Sequence, residues 1–445
     1  MTNRLIFLLP IIFLTILINL SCANGPVRGE TTGDNSLPPK TLSSDLVGLP
    51  VDATVKIYFE NTLSMDGYIN GETDFKDVFR ELLVAVENED KIDFLTEFYL
   101  INDKLIKENF KVETTKIADA LTKKSISKGS RGTSNFEDVL NTVLENQEGD
   151  VISIVMADFI YSPGKDTNTP SALNKLKTYT KEAFLKAGIT NKNLETRIYS
   201  FTSSFNGIYY DINDKHITGI TQRPYYYFVI APVGLMELFD KQIAPQLKKN
   251  KSFNNEMVIS SKNYSNIDYR VLTATSNNGR LNPRNGIEIT SYPRQGKLEF
   301  AVALNLKDLP VNNNYILNGK NYRLNQNIKV KDLGLVNGKN IDFQKGGKVP
   351  LHASDLKNLQ GKGLTHVILL RAEGLVSEDI QISLKKTIPN WVAETNSDDD
   401  RDIKNDPLEQ EKTFGFSSLI QGIAEAYKQR TGSQEYFDLK IPVTN

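Results

Sequence analysis

Cysteine, histidine and tryptophan are scarce in this chain of 445 residues, which has one cysteine, three histidines and one tryptophan. A single cysteine excludes any disulfide within the chain. The three histidines, His216, His352 and His366, are far apart in sequence, which argues against a histidine-rich zinc site and weakens any proposal of a Ser-His-Asp triad. The sequence therefore favours a binding protein over an enzyme that uses an activated nucleophile.

The chain also lacks an excess of charge of either sign, because its formal net charge is −1 and it has no long basic run. Nucleic acid is therefore not an expected partner. Apolar residues make up 39% and charged residues 24% of the chain, as in an ordinary globular protein. A chain of this length is long for one domain, and we expect two.

The longest apolar run lies at the N-terminus, from Leu5 to Leu20. It is shorter than the roughly 20 residues that a bilayer span needs and is typical of a signal-peptide core. Ser21-Cys22 then resembles the lipobox of a bacterial lipoprotein, although Asn19 stands where leucine is usual. We expect residues 1–21 to be a signal peptide with lipidation at Cys22. The alternative is an ordinary secretion signal with an incidental cysteine.

Lipid chains such as palmitate on this cysteine would anchor the protein to a membrane without spanning it. We therefore expect a membrane-anchored protein of the bacterial cell envelope, with the outer membrane favoured and its periplasmic or surface face left open. Residues 22–50 are rich in Gly, Pro, Ser and Thr, and we expect them to form a flexible tether.

Strand and helix patterns alternate between residues 51 and 250, which predicts an α/β domain with a doubly wound, mostly parallel sheet. Residues 91–101 are predicted as one strand or as two short ones around a turn. The other predicted strands are 53–59, 151–157, 197–205 and 225–231. One predicted helix begins near residue 74, and three more cover residues 136–144, 173–187 and 233–247.

Three polar segments follow strands or open helices at what should be the same edge of this sheet. The first holds Glu60, Thr62 and Ser64, the second is Gly132-Thr133-Ser134-Asn135, and the third is Asp158. Ligands of open α/β sheets bind beyond the carboxyl ends of the strands. Carboxylate and hydroxyl oxygens are the hard ligands that Mg²⁺ prefers.

This set of segments resembles a von Willebrand factor type A domain with its metal-ion-dependent adhesion site. The family pattern is Asp-x-Ser-x-Ser after the first strand, a distant Thr, and an Asp after a later central strand. Glu60-x-Thr62-x-Ser64 resembles the first part, and Asp158 matches the last. Gly132-Thr133-Ser134-Asn135 resembles the Gly-Gly-Thr-Asn sequence that opens a helix in the family. When the two helices are aligned on Val139-Leu140, Ser134 falls at the position of the distant Thr, and Thr133, one residue earlier, is the alternative.

The resemblance implies a Mg²⁺ or Mn²⁺ site formed by Glu60, Thr62, Ser64, Thr133 or Ser134, and Asp158. Glu60 departs from the family aspartate by one methylene, so the site either binds metal or has lost it and keeps its hydroxyls as helix caps. A working site implies an acidic protein or peptide partner whose carboxylate completes the metal shell, as in cell adhesion. The alternatives are a metal-dependent hydrolase and a scaffold with a non-functional metal site.

Residues 251–445 show short alternating strands separated by Asn-Gly turns, which predict a β-rich, sandwich-like second domain with a C-terminal helix and strand. We expect Trp391 and the tyrosines Tyr225 to Tyr227 to lie in the core. The acidic segment from Asn396 to Asp402 is predicted to be a solvated loop, with a calcium loop as the alternative.

Overall fold

The computed structural model describes residues 52–89, 94–132, 136–164, 168–190, 193–283, 286–325, 327–359 and 361–444. The predicted signal peptide, Cys22 and the predicted tether lie outside these ranges. So do Thr133 and Ser134, the two candidates for the distant ligand position. The residues in these ranges form one compact unit.

The first part of the chain alternates between strands and helices, as its periodicity predicts. A π-helical turn, Phe239–Ile243, joins the helices Val233–Leu238 and Ala244–Lys249. A short 3₁₀ helix, Thr114–Lys116, precedes the helix Ile117–Ala120. The strands are β1 (Ala53–Glu60), β2 (Phe94–Ile101), β3 (Leu105–Glu108), β4 (Val151–Ala157), β5 (Leu194–Ser204), β6 (Tyr209–Tyr210), β7 (His216–Ile217), β8 (Gln222–Pro232) and β9 (Phe253–Ile259). The helices are α1 (Asp66–Ile69), α2 (Asp74–Glu87), α3 (Ile117–Ala120), α4 (Phe136–Glu145), α5 (Thr169–Thr190), α6 (Val233–Leu238) and α7 (Ala244–Lys249).

The main sheet has seven strands in the order β3-β2-β1-β4-β8-β5-β9. Strand β1 pairs in parallel with both β2 and β4. Strand β8 is antiparallel to both β4 and β5, so β5 runs in the same direction as β4. Four strands thus share one direction, which gives a mixed but mostly parallel sheet. The strand over Tyr225 to Ala231 is confirmed, but its antiparallel direction was not predicted.

Two apolar layers cover the faces of this sheet, and β1 shows how the sequence produces them. Val55, Ile57 and Phe59 belong to the core cluster that contains the buried face of α2. Tyr58 points the other way, into the cluster that contains α4 and α5. Strand β4 is buried along its whole length, as expected for a strand with helices on both sides.

The remainder of the chain is built mainly from antiparallel sheets, as its alternating pattern predicts. A short 3₁₀ helix also occurs at Gly319–Asn321. The strands are β10 (Tyr269–Val271), β11 (Arg280–Asn282), β12 (Ile287–Ser291), β13 (Glu299–Leu304), β14 (Tyr322–Leu324), β15 (Ile328–Asn337), β16 (Asn340–Phe343), β17 (Gly347–Pro350), β18 (His366–Ala372), β19 (Ile380–Lys385), β20 (Asn396–Ser397), β21 (Thr413–Phe414), β22 (Glu435–Ile441) and β23 (Val443–Thr444). The helices are α8 (Asn313–Ile316), α9 (Ala353–Leu359), α10 (Asn390–Glu394), α11 (Pro407–Gln410) and α12 (Phe416–Thr431).

A six-stranded sheet, β10-β13-β18-β15-β16-β17, and a three-stranded sheet, β14-β19-β22, contribute to one apolar core. The C-terminal helix is confirmed, but it packs against the main sheet's side of the molecule. Gly422 of α12 lies so close to α5 that a Cβ atom there would be 2.5 Å from the Lys177 carbonyl oxygen. Strand β9, which follows the predicted domain boundary at residue 250, pairs with β5 in the main sheet.

Trp391 and the tyrosines Tyr225 to Tyr227 are buried, which confirms that they are core residues. The indole nitrogen of Trp391 donates to the carbonyl oxygen of Glu256 on edge strand β9, at 3.3 Å. Side chains that use the free carbonyls of an edge strand protect that edge from unwanted pairing. Within the described ranges, no helix has both the length and the apolar character that crossing a membrane needs.

Candidate functional site

The segment that follows β1 is held in place by the side chain of Asn61. Asn61 is fully buried, and its side-chain amide donates to the carbonyl oxygens of Ile126 and Lys128, both at 2.8 Å. Glu60 and Thr62 on either side are also buried, with 2% and 6% of their surfaces exposed. The loop is therefore held rigidly, as a binding site on a loop requires.

The two hydroxyls of this loop face each other rather than capping a helix. Thr62 Oγ1 and Ser64 Oγ are 3.0 Å apart. Helix α1 begins after Met65 and receives no hydrogen bond from a capping side chain. For α1, this contradicts the interpretation of the loop hydroxyls as caps, because the two hydroxyls are hydrogen-bonded to each other instead.

Asp158 follows β4, the parallel neighbour of β1, and is 1% exposed. Its Oδ1 accepts a hydrogen bond from the Ile160 amide at 3.2 Å. Within the described part of the chain, its Oδ2 accepts none. Burial raises the pKa of Asp158, and the Ser64 hydroxyl, the Ile160 amide and the Arg223 guanidinium each oppose part of that rise. Ser64 therefore links the loop after β1 to the carboxylate after β4.

A small cleft of about 30 Å³ opens above this loop. A space of this size holds about two water-sized spheres, or a cation with little else. Its walls are mainly polar, with hydroxyl groups and carboxylates from the loop after β1 and from the β6–β7 hairpin. The lining residues are Glu60, Thr62, Leu63, Ser64, Gly132, Ile160, Ser162, Tyr210 and Asp214.

Arg131, which precedes the cleft-lining Gly132, was not predicted from the sequence. Its Nε donates to the Asn61 carbonyl oxygen at 2.7 Å, and its Nη2 donates to the Thr62 carbonyl oxygen at 3.2 Å and forms an ion pair with Asp66. Its own carbonyl oxygen accepts from the Leu63 amide at 3.0 Å. Arg131 thus clamps the backbone of the loop, and Asp66 offsets its charge. Only its position before Gly132 in the second polar segment could have drawn attention to it.

A second arginine, Arg223, lies buried on β8. Its guanidinium carbon lies 4.6 Å from the centre of the Tyr209 ring, and its Nη1 donates to the Gln410 carbonyl oxygen at 2.8 Å. The Tyr209 hydroxyl donates to Asp400 Oδ2 at 2.5 Å, and the Ile212 amide donates to Asp400 Oδ1 at 2.9 Å. The prediction that Asn396 to Asp402 form a solvated loop is therefore wrong for Asp400, which is buried and anchors this hairpin, and for Ser397, which is buried in β20.

The structure brings most of the predicted ligands together. Glu60, Thr62 and Ser64 line one cleft, and Asp158 lies beside Ser64. Gly132 of the second segment lines the same cleft. Among the described residues, no group of three or more carboxylate, histidine or cysteine side chains could hold a metal ion by itself. A cation site here would depend on hydroxyls together with carboxylates, which are oxygen ligands suited to Mg²⁺ or Mn²⁺.

The donor set consists of hard oxygens of the kind a divalent cation prefers. Asp158 Oδ2 is buried without a hydrogen bond among the described residues, and Asp158 lies beside Ser64, whose hydroxyl is hydrogen-bonded to that of Thr62. No family model matches the chain, and no curated protein matches it. The similarity to the type A domain therefore rests on two observations: the strand order β3-β2-β1-β4 with its helices, which is compatible with that fold, and the polar residues at the ends of β1 and β4.

Proposed function

We propose that this chain is a cell-envelope lipoprotein that binds an acidic protein or peptide through a cation-dependent adhesion site of the von Willebrand type A kind. The observation that carries the proposal is the juxtaposition of Thr62, Ser64 and Asp158 at the ends of two adjacent parallel strands. These groups come from segments almost 100 residues apart. Most buried carboxylate oxygens in proteins accept a hydrogen bond, whereas Asp158 Oδ2 accepts none among the described residues.

In this proposal Thr62, Ser64 and Asp158 hold the cation, with Glu60 contributing directly or through water. The bound cation supplies open coordination positions to a carboxylate on the partner. Because the two hydroxyls are uncharged, the site gives the cation few direct negative ligands, and it keeps a strong preference for an added anion. Leu63, which is exposed at the edge of the cleft, offers apolar contact to the residues around that carboxylate.

Cation binding can be tested by isothermal titration of Mg²⁺ and Mn²⁺ into the purified chain. Asp158→Asn and Ser64→Ala should each abolish binding or weaken it at least tenfold. Asp150→Asn is a matched control, because Asp150 is an exposed carboxylate before the opposite end of β4. Equal binding in wild type and Asp158→Asn would exclude the proposed site, and no binding by wild type would argue against the proposal as a whole.

Lipid attachment is a separate part of the proposal and rests on the sequence around Cys22. Expression in a bacterial host with labelled palmitate should label the wild-type chain and leave Cys22→Ala unlabelled. Fractionation should place the wild type with membranes and release the variant. Labelling that persists in the variant would contradict lipidation at this cysteine.

One observation favours a second candidate function, a scaffold whose metal site no longer works. The Arg223 guanidinium favours the charged form of Asp158, so an internal cation already offsets part of the charge that a metal would use. In that case the partner would bind to surfaces away from the cleft. Partner binding that is unchanged by EDTA and by Asp158→Asn would support this scaffold over the adhesion site.

A further inference from the structure

Strand β15 has a free edge along its first half. It pairs with β18 from Ile328 to Leu335, but it pairs with β16 only over Gly334–Asn337. On the β16 side, residues 328–332 therefore have no strand partner among the described residues. Main-chain N–H and C=O groups at such an edge are available to another extended chain.

A groove of about 720 Å³ lies beside this edge. Every residue from Ile328 to Leu333 lines it, and its opposite wall comes from α8, the 3₁₀ helix Gly319–Asn321 and β14. Since successive side chains of a strand point to opposite faces, a groove that contacts all of these consecutive residues follows the edge of the strand. Its volume lies within the range of about 300–1,000 Å³ that is usual for ligand sites.

Asp332 keeps this edge open by turning the neighbouring chain away from it. The Gln344 amide, just beyond β16, donates to the Leu333 carbonyl oxygen at 2.9 Å. The next two amides, those of Lys345 and Gly346, donate instead to Asp332 Oδ2 at 3.1 and 2.8 Å. The line of β16 therefore ends at Gln344, and the space beyond it beside β15 belongs to the groove.

The two faces of the free edge differ in polarity. Ile328 is buried in the apolar core cluster of the later sheets, and Val330 packs against that cluster. Lys329 and Lys331 therefore point to the other face, where Lys331 Nζ donates to Glu299 Oε2 at 2.5 Å. A chain that pairs with this edge would meet apolar side chains on one face and lysines on the other.

The groove also carries an excess of positive charge. Four lysines line it, and Asp332, whose oxygens accept backbone amides, is the one acidic residue among the described residues of its walls. Lys320 and Lys345 are exposed and form no ion pair within the described ranges. Lys329 is 72% exposed and lies 3.9 Å from Glu373. Lysines at a sheet edge oppose pairing with neutral or basic strands, whereas they attract an acidic one.

We propose that the free edge of β15 binds an extended acidic segment of a partner protein, which adds as a strand beside residues 328–332. Main-chain hydrogen bonds provide the pairing, and alternate side chains provide the selectivity. Acidic side chains face the lysines, and apolar side chains face the core side. This site shares no lining residue with the cation cleft and needs no metal, so it gives the antiparallel part of the chain a binding role of its own.

The test is fluorescence anisotropy of short labelled peptides titrated with the purified chain in EDTA. The probe alternates Glu and Val. One control peptide alternates Lys and Val, and a second is the Glu-Val peptide methylated on its backbone nitrogens, which keeps the charge and the side chains but has no N–H donors. We expect both control peptides to bind at least about tenfold more weakly than the probe.

Matched variants of the chain locate the binding site. Lys329→Glu and Lys345→Glu should each weaken binding of the Glu-Val peptide about tenfold, because they place a like charge beside it. Lys348→Glu is the control, since Lys348 is an exposed lysine of β17 that does not line the groove. It should bind the peptide as the wild type does.

Failure of the wild type to bind the Glu-Val peptide would overturn the inference. Equal affinity for the methylated peptide would also overturn it, because charge alone would then account for binding. Binding that appears only after residues 1–50 are removed would assign the groove to the chain's own N-terminal segment. Dimers of the free chain that the peptide dissociates would assign it to a second copy, and either result replaces the acidic partner. Because every titration contains EDTA, none of these outcomes depends on the cation site.

Discussion

Three buried aspartates show how unusual the surroundings of Asp158 are. Asp355 accepts five hydrogen bonds from the amides and hydroxyls of residues 273–275. Asp400 accepts hydrogen bonds on both of its oxygens. Asp158 accepts one from the Ile160 amide on Oδ1, and its Oδ2 is buried without any among the described residues. Burying a carboxylate oxygen without a hydrogen bond lowers the stability of the folded state. Proteins tolerate such a loss mainly at functional sites.

Replacing Asp158 and Asp355 by asparagine should therefore have different effects on the free energy of unfolding. Burial raises the pKa of Asp158, so Asp158→Asn in EDTA should be neutral or stabilise the fold by about 1 kcal/mol. Although burial alone would raise the pKa of Asp355, its hydrogen bonds hold that pKa below the usual value, so Asp355→Asn should destabilise by about 2–4 kcal/mol. Urea unfolding of both variants checks this contrast, and equal destabilisation would contradict it.

The pH dependence of stability should include a contribution from His366. Burial lowers its pKa to about 4, because the charged ring would be enclosed away from water. The two ring nitrogens lie 3.0 Å from Asn313 Oδ1 and 2.8 Å from Thr365 Oγ1. The unfolded value is about 6.5. The folded state therefore loses stability as pH falls from about 6.5 to 4, since the unfolded chain binds the proton first.

Thermal unfolding at pH 7 and pH 4.5 tests this contribution. His366→Gln should show a smaller loss between the two pH values than wild type does. His352→Gln, at an exposed histidine, is the control and should follow the wild type. A loss of the same size in His366→Gln would show that other groups determine the acid sensitivity.

Among the elements, the β6–β7 hairpin connects the candidate site to the rest of the structure. It joins β5 to β8 and packs on Gly67 of α1, while Asp400 anchors it from the C-terminal region. The sequence predicted the helix and strand patterns on either side of it. It did not predict the hairpin, because two-residue strands have no periodicity and their position depends on contacts made across the molecule.

Gly67→Ala should disrupt this packing, because the new Cβ would overlap the Phe205 ring. We expect destabilisation of about 1–3 kcal/mol and faster proteolysis within residues 205–221. Gly234→Ala is the control, because a Cβ there meets no atom within 4 Å. Proteolysis at the wild-type rate in Gly67→Ala would mean that the hairpin adjusts without loosening.

For the whole molecule, the sequence predicted the α/β class, the antiparallel character of the later sheets and the clustering of polar residues at one sheet edge. The antiparallel direction of β8 was not predicted, since an apolar strand has the same composition whichever way it runs. Arg131 and Arg223 were also missed. Each makes its contacts with segments distant in sequence, and one sequence does not show which charges become buried partners.

The domain boundary predicted at residue 250 can be tested by truncation. A chain that ends at Asn250 would lose β9 from the edge of the main sheet and α12 from its contact with α5. We expect it to aggregate or to bind hydrophobic dyes, whereas the chain to residue 445 unfolds in one transition. A monomeric product that unfolds cooperatively would instead support an independent first domain.

The most direct test of the central claim is anomalous diffraction from crystals soaked in Mn²⁺. We expect one strong peak within about 2.5 Å of the Thr62 and Ser64 hydroxyl oxygens, and its loss in Asp158→Asn crystals. A cleft without a peak at saturating Mn²⁺, in crystals where the cleft is open to solvent, would contradict the claim that this is a cation site.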